Sequence, residues 1–245
     1  MTAVTWTDVH CHLADYADPE VVLAAASRAR VAVYTSTVLP SEYRRLSGER
    51  GGAVGLGFHP MHADIPTRDD ELAVYEAAFD EATWLSEIGL DGWMPQHTRH
   101  PSLTSQERLL ERLFAPGVQG KVLSLHARSA ERRCAEMVIA AQPRGAVFHW
   151  YKGDLDVARL IVEAGMLFSV NPMMIADPGR AEFLRWVPGD ALLLETDGPQ
   201  PDESGSATVS PSDLPVAGEA LARIRGIRVE DLGESMGANL ARLTA

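Results

Sequence analysis

Residues 7–12 read TDVHCH, which sets Asp8, His10 and His12 at alternate positions. In a β-strand alternate residues share one face, so these three look one way while Val9 and Cys11 look the other. Imidazole and carboxylate are the donor set of Zn²⁺ and related divalent ions, and two histidines on one strand face can grip a single ion with both rings. One such pair is weak evidence, because it also fits a surface or core feature. Five more residues of the same chemistry, His59, Glu87, His126, His149 and Asp197, recur along the chain.

Whatever positions these side chains must be built from the short apolar runs between helical patterns. Strands are expected at 4–10, 31–37, 53–59, 83–89, 121–126, 145–150, 166–170 and 191–197. Segments such as DPEVVLAAASRAR, SQERLLERLF and DLDVARLIVEAG carry apolar residues at helical spacing, and Asp18-Pro19 and Asp154 are natural helix openings. A repeated strand-then-helix order predicts a parallel sheet with crossover helices. Eight such units in 245 residues predict an α/β fold of the (β/α)8 TIM-barrel type, one domain over 1–245. The alternative, an open doubly wound sheet, would normally show a glycine-rich turn after its first strand, where this chain has HCHLADY.

In a barrel, catalytic side chains sit at the C-terminal ends of the strands. The expected strand ends carry His10 and His12, His59, Glu87, His126, His149 and Asp197, whereas His62, His97 and His100 fall in loops. Taken singly, Glu87 fits an acid paired with an arginine, His126 a helix cap, His149 a core histidine and Asp197 the opening of an Asp-Gly-Pro turn. Together they make sense as ligands, because polar groups buried at six strand ends would be costly without a common partner.

The chain has 22 Lys and Arg against 34 Asp and Glu, a formal charge of −12. That balance opposes non-specific adhesion to nucleic acid, so a polyanionic substrate needs local positive charge from a metal or from arginines. No basic segment followed by an apolar run marks a signal peptide, and no stretch reaches the ~18 apolar residues of a membrane span. A cytoplasmic protein is expected, with Cys11 and Cys134 as buried thiols. The segment PQPDESGSATVSPSD at 199–213 reads as a late loop, with acidic Asp202, Glu203 and Asp213 and no basic residue.

DVHCHL, GFHP, SEIGLDG, LHARS, FHWYKGD and LLLETDGP resemble, in order, the signature segments of the TatD family of metal-dependent deoxyribonucleases, barrels of the amidohydrolase superfamily. VEDLGESMGANLARL is similar to the closing helix of that family. HWYKGD, LFSVNPMM and ETDGP further resemble the TatD-like component of Qat anti-phage cassettes. The resemblance implies two divalent ions (Zn, Mn or Mg): His10, His12 and Asp197 holding one, His126 and His149 the other, and Glu87 bridging them. Four histidines and two carboxylates weaken the case for Mg²⁺, which prefers oxygen. It implies His59 near a substrate phosphate, and Asp91 and Glu195 at signature positions.

Such a pair of ions can clamp a phosphodiester and activate water. Asp197 is the expected general base, with ligation alone as its other reading; Arg128 and Lys152 are expected as phosphate partners but fit equally as solvated surface charges, and Trp150 is a candidate surface for base stacking. Tyr151 and Trp150, which depart from the usual family pattern, fit equally as packing residues. The expected partners are DNA, as a strand end or single-stranded segment, and other Qat proteins, with no membrane. Hydrolysis of another ester or amide, as in aminoacyl-tRNA deacylation, is the alternative chemistry, and a defence-complex subunit acting mainly by binding is the alternative class.

Overall fold

The computed structural model describes residues 5–50, 53–93, 100–201 and 208–245, so His97, Asp202 and Glu203 lie outside the described residues. In chain order the elements are β1 (Trp6–Cys11), α1 (Pro19–Arg28), β2 (Val31–Thr35), α2 (Pro40–Arg50), α3 (Arg68–Ala78), β3 (Trp84–Asp91), α4 (Leu103–Phe114), β4 (Val122–Arg128) and α5 (Glu131–Ala141). They continue with β5 (Gly145–Phe148), α6 (Leu155–Glu163), β6 (Leu167–Val170), α7 (Pro172–Ala176), α8 (Ala181–Trp186), β7 (Leu192–Leu194), α9 (Leu214–Arg225) and α10 (Val229–Thr244). Short 3-10 turns and a two-residue hairpin pairing, Gln200–Pro201 with Thr208–Val209, complete the described chain.

Two compact units result, one made of the residues up to Thr35 together with Leu167–Ala245, the other of Ser36–Met166. In the first, the strands run parallel in the order β2, β1, β7, β6. The second holds β3, β4 and β5, also parallel, with β4 in the middle. Strands follow helices as the sequence periodicity requires, and the expected helix openings are real caps. Asp18 accepts a hydrogen bond from the Val21 amide ahead of Pro19, and Asp154 accepts one from the Val157 amide. Asn239 of the closing helix is buried and donates to the Gly189 and Leu192 carbonyls, docking α10 beside β7.

The structure corrects the expectation of eight ladder strands. Among the described residues seven parallel strands form, and 53–59 holds a single bridge residue, Val54, inside otherwise irregular backbone. The segment is still extended along β3, with the Leu56 amide donating to the Trp84 carbonyl and the Phe58 amide to the Glu87 carbonyl. On its other side the Thr37 hydroxyl intervenes, donating to the Gly55 carbonyl while accepting from the Gly57 amide. A side chain has replaced the main-chain partner, and Gly57 permits it: a Cβ there would stand 1.6 Å from the Thr37 carbonyl oxygen.

Gly89 has the same logic inside β3, where all eight side-chain positions are buried. Its φ of +142° excludes ordinary side chains, and a Cβ would lie 2.0 Å from the His126 carbonyl oxygen. Gly89→Ala is expected to cost about 3 kcal/mol or more in urea unfolding. Gly237→Ala on α10, where a Cβ meets nothing within 4 Å, should be neutral or stabilising by up to ~1 kcal/mol. Equal midpoints for the two variants would contradict the close approach of β3 to β4.

Candidate metal centre

In the first unit, β1 delivers His10 and the residue after it in the face, His12, while the turn after β7 delivers Asp197. Main-chain bonds clamp the two segments together: the Asp197 amide donates to the His10 carbonyl (2.9 Å) and the His12 amide to the Gly198 carbonyl (2.7 Å). Asp197 takes a left-handed φ of +50°, which a short polar side chain tolerates. His10 Nε2 and His12 Nε2 stand 3.3 Å apart, and Asp197 Oδ1 lies 3.6 Å from the first and 3.4 Å from the second. Donors on a tetrahedral ion with bonds of 2.0–2.1 Å are separated by roughly 3.3 Å. The three residues therefore have the chemistry and the spacing of a metal-binding face.

Asp8 holds that face in place. Its carboxylate accepts from the Thr196 amide (3.0 Å), the Thr196 hydroxyl (2.6 Å) and the His10 amide (3.3 Å), and the residue is fully buried. Burial pushes its carboxyl up to about 8. Asp8→Ala leaves those donors without an acceptor, so a loss of roughly 3 kcal/mol is expected in denaturant unfolding, with weaker metal uptake at His10, His12 and Asp197. Unchanged metal uptake in that variant would remove the positioning role.

The second unit gathers Glu87, His126, His149 and His59. Glu87 is 3% exposed. Its Oε1 stands 2.7 Å from His126 Nδ1, 2.8 Å from His149 Nε2 and 3.4 Å from His59 Nε2. His59 Nε2 is also 3.3 Å from His126 Nδ1, so this histidine, expected beside a phosphate, stands among the ligand candidates. Its other ring nitrogen accepts from the Met61 amide. His126 Nε2 donates to Asp91 Oδ2 at 3.0 Å, which turns Nδ1 toward Glu87.

Asp91 is anchored by a residue that sequence reading passed over, Gln106 on α4. The Gln106 carbonyl oxygen accepts from the Asp91 amide (2.6 Å), and its amide donates to the Asp91 and Pro101 carbonyls. Burial raises the Asp91 carboxyl, but the hydrogen bond from His126 and the nearby positive charge of Arg128 more than offset it, holding the group below the ordinary carboxylate range. Burial disfavours the His126 cation, yet hydrogen bonds to Asp91 and Glu87 raise the group above the usual histidine value. Protons and a divalent ion thus compete for His126, as for any imidazole ligand.

Two aromatic–cation pairs flank this cluster. The Arg128 guanidinium lies 3.8 Å from the centre of the Trp93 ring, and Lys152 Nζ lies 4.0 Å from the centre of the Trp150 ring. Trp150 holds a left-handed φ of +39°, an uncommon state for a bulky residue. Tyr151 is the packing residue of the trio, fully buried with its hydroxyl donating to the Asp154 carbonyl. Glu195 is buried in the first unit and accepts from the Ser169 hydroxyl and the Asn171 amide. Cys11 and Cys134 are buried free thiols, both pushed upward by burial, Cys134 to about 12, so neither is a nucleophile at neutral pH. Among the described residues, no helix is long and apolar enough to cross a membrane.

The model of the family described as TatD related DNase matches residues 7–245. The chain is 27% identical to the human deoxyribonuclease TATDN3, covering 96% of this chain and 93% of that protein. It is 28% identical to the Escherichia coli K12 metal-dependent hydrolase YcfH, covering 96% and 94%. Among solved structures, the TatD homologue YjjV of Escherichia coli superposes with a TM-score of 0.84 at 23% identity, over 97% of each chain. A TatD-family hydrolase of Entamoeba histolytica gives 0.82 at 16% identity, over 99% of each. These likenesses show that the chain has their α/β barrel fold.

Proposed function

Since the chain belongs to the TatD-related DNase family of metal-dependent hydrolases, we propose that it hydrolyses DNA phosphodiester bonds from a strand end in the cytoplasm. The observation that carries this reading is the pair of ligand groups, His10, His12 and Asp197 in one unit and Glu87, His126 and His149 in the other. We assign the first three to one divalent ion, His126 and His149 to a second, and Glu87 to both, within a single domain. Bound there, Zn²⁺ or Mn²⁺ would neutralise phosphate charge and lower the pKa of a water.

The remaining steps belong to the chain itself. Asp197 turns Oδ1 to the two histidines, and its Oδ2, 3.5 Å from Gln200 Nε2, is the atom assigned to accept the proton of the attacking water. Arg128 and Lys152 hold phosphate oxygens, the first with a planar fork and the second as a point charge. His59, reaching from its Met61-capped turn, orients the scissile phosphate or adds a ligand. A net charge of −12 repels extended duplex, which favours a strand end entering a local positive site.

End-labelled single- and double-stranded oligodeoxynucleotides, incubated with Mn²⁺, Mg²⁺ or Zn²⁺, test the reading. A ladder shortening from one end, absent for His126→Ala, is the expected result. Internal cuts, or activity surviving in His126→Ala, would overturn it, and faster turnover of aminoacyl-tRNA or simple esters would favour the other hydrolase reading. HWYKGD and LFSVNPMM further support work beside Qat defence proteins. Copurification with those proteins, with and without an intact ligand set, tests that extension.

A further inference from the structure

We propose that Trp93 and Arg128 form a nucleotide subsite, in which a base stacks on the Trp93 ring and the adjoining phosphate accepts from the edge of Arg128. The inference rests on the nuclease reading above and names a contact that reading leaves open. Its starting point is a large aromatic at the surface of an acidic chain: Trp93 is 43% exposed. Strand register explains its partner. Asp91 of β3 lies beside Arg128 of β4, so the residue two positions beyond Asp91 comes over the guanidinium, 3.8 Å from ring centre to carbon.

A guanidinium whose carbon sits over an aromatic ring still has N–H groups at its rim for hydrogen bonding. Among the described residues, no carboxylate comes within ion-pair distance of Arg128. His100 also packs against Trp93, with ring centroids 6.3 Å apart and planes at 77°. Beside these two contacts the indole keeps enough exposed surface, 43% of the residue, to meet a base.

The platform is tied to the ligand cluster through one carboxylate. Asp91 Oδ1 accepts from the Trp93 amide (2.8 Å) while Oδ2 accepts from His126 Nε2 (3.0 Å). A base resting on Trp93 would therefore be held at a set distance from His126. The second pair, Lys152 over Trp150, stands at the end of β5, on the same edge of the three parallel strands. Stacking of this kind tolerates any base, as a trimming enzyme requires.

Steady-state cleavage of a labelled single-stranded oligodeoxynucleotide by the metal-loaded protein tests the subsite. Trp93→Ala should raise KM about tenfold with kcat changed by less than about threefold, and Trp93→Phe should recover most of the loss. In the wild-type protein, an abasic residue near the cleaved end should raise KM by a similar factor, and the same lesion should add nothing to Trp93→Ala. A wild-type KM in Trp93→Ala, or an abasic penalty that persists in that variant, overturns the proposal. Should the wild-type protein cut no oligonucleotide at all, the nuclease reading falls separately. The subsite is then decided by equilibrium titration, where quenching of indole fluorescence that is lost in Trp93→Phe supports it and equal quenching overturns it.

Discussion

Asp197→Asn is expected to lower DNA hydrolysis on the order of 10³-fold while leaving the protein folded. The amide has the size of the carboxylate, and the main-chain bond from residue 197 to the His10 carbonyl, 2.9 Å long, does not depend on the side chain. What disappears is the negative charge facing His10 and His12 at 3.6 and 3.4 Å. An amide oxygen is a poorer donor to a divalent ion and cannot take a proton from water near neutral pH. Turnover should fall, KM should move little, and bound metal measured by elemental analysis should drop. Retention of activity within tenfold of wild type would remove Asp197 from both of its assigned roles.

Removal of metal by a chelator is expected to abolish hydrolysis and to destabilise the fold at the same time. Without an ion, each cluster leaves imidazoles and carboxylates crowded at 2.7–3.6 Å, with the buried Glu87 carboxylate set among the rings of His59, His126 and His149. An ion present at a thousand times its Kd adds about 4 kcal/mol to the folded state. For a chain of 245 residues, its loss should lower the thermal midpoint by about 10 °C. Readdition of Zn²⁺ or Mn²⁺ should restore both properties, and Mg²⁺ should do so less well because most of the donors are nitrogens. Glu87→Gln should mimic chelation, since its Oε1 stands within 3.4 Å of His59, His126 and His149. A thermal midpoint indifferent to chelation would mean that the clusters do not hold ions in solution.

Residues of the ligand sets stand out in the bare chain because each is a polar group set within or closing an apolar run, where an unpaired polar group would be expensive. Neighbours of those residues are another matter. The hydroxyl and amide that hold Asp8 come from Thr196, 188 positions away. The side chain that anchors Asp91 comes from Gln106, on a helix whose apolar spacing marks only its buried face. His59 was expected beside a phosphate and stands 3.3 Å from His126 Nδ1. Trp93 carried no periodic signal at all, and its meeting with Arg128 depends on the alignment of β3 with β4.

The amino-acid sequence by itself determined the alternation of strands and helices, the caps at Asp18 and Asp154, and the chemistry gathered at the strand ends. Those features are local: the period of apolar residues selects the element, and the residue closing a run is exposed to whatever lies at its tip. Tertiary structure alone decided that 53–59 takes irregular backbone with the Thr37 hydroxyl in place of a ladder partner, that Asp8 reaches Thr196, and that the Arg128 guanidinium lies over the Trp93 ring. The reason is register. An alternating pattern says which face of a strand is buried but is satisfied by any even shift along its neighbour, so only the packed chain selects which side chains meet.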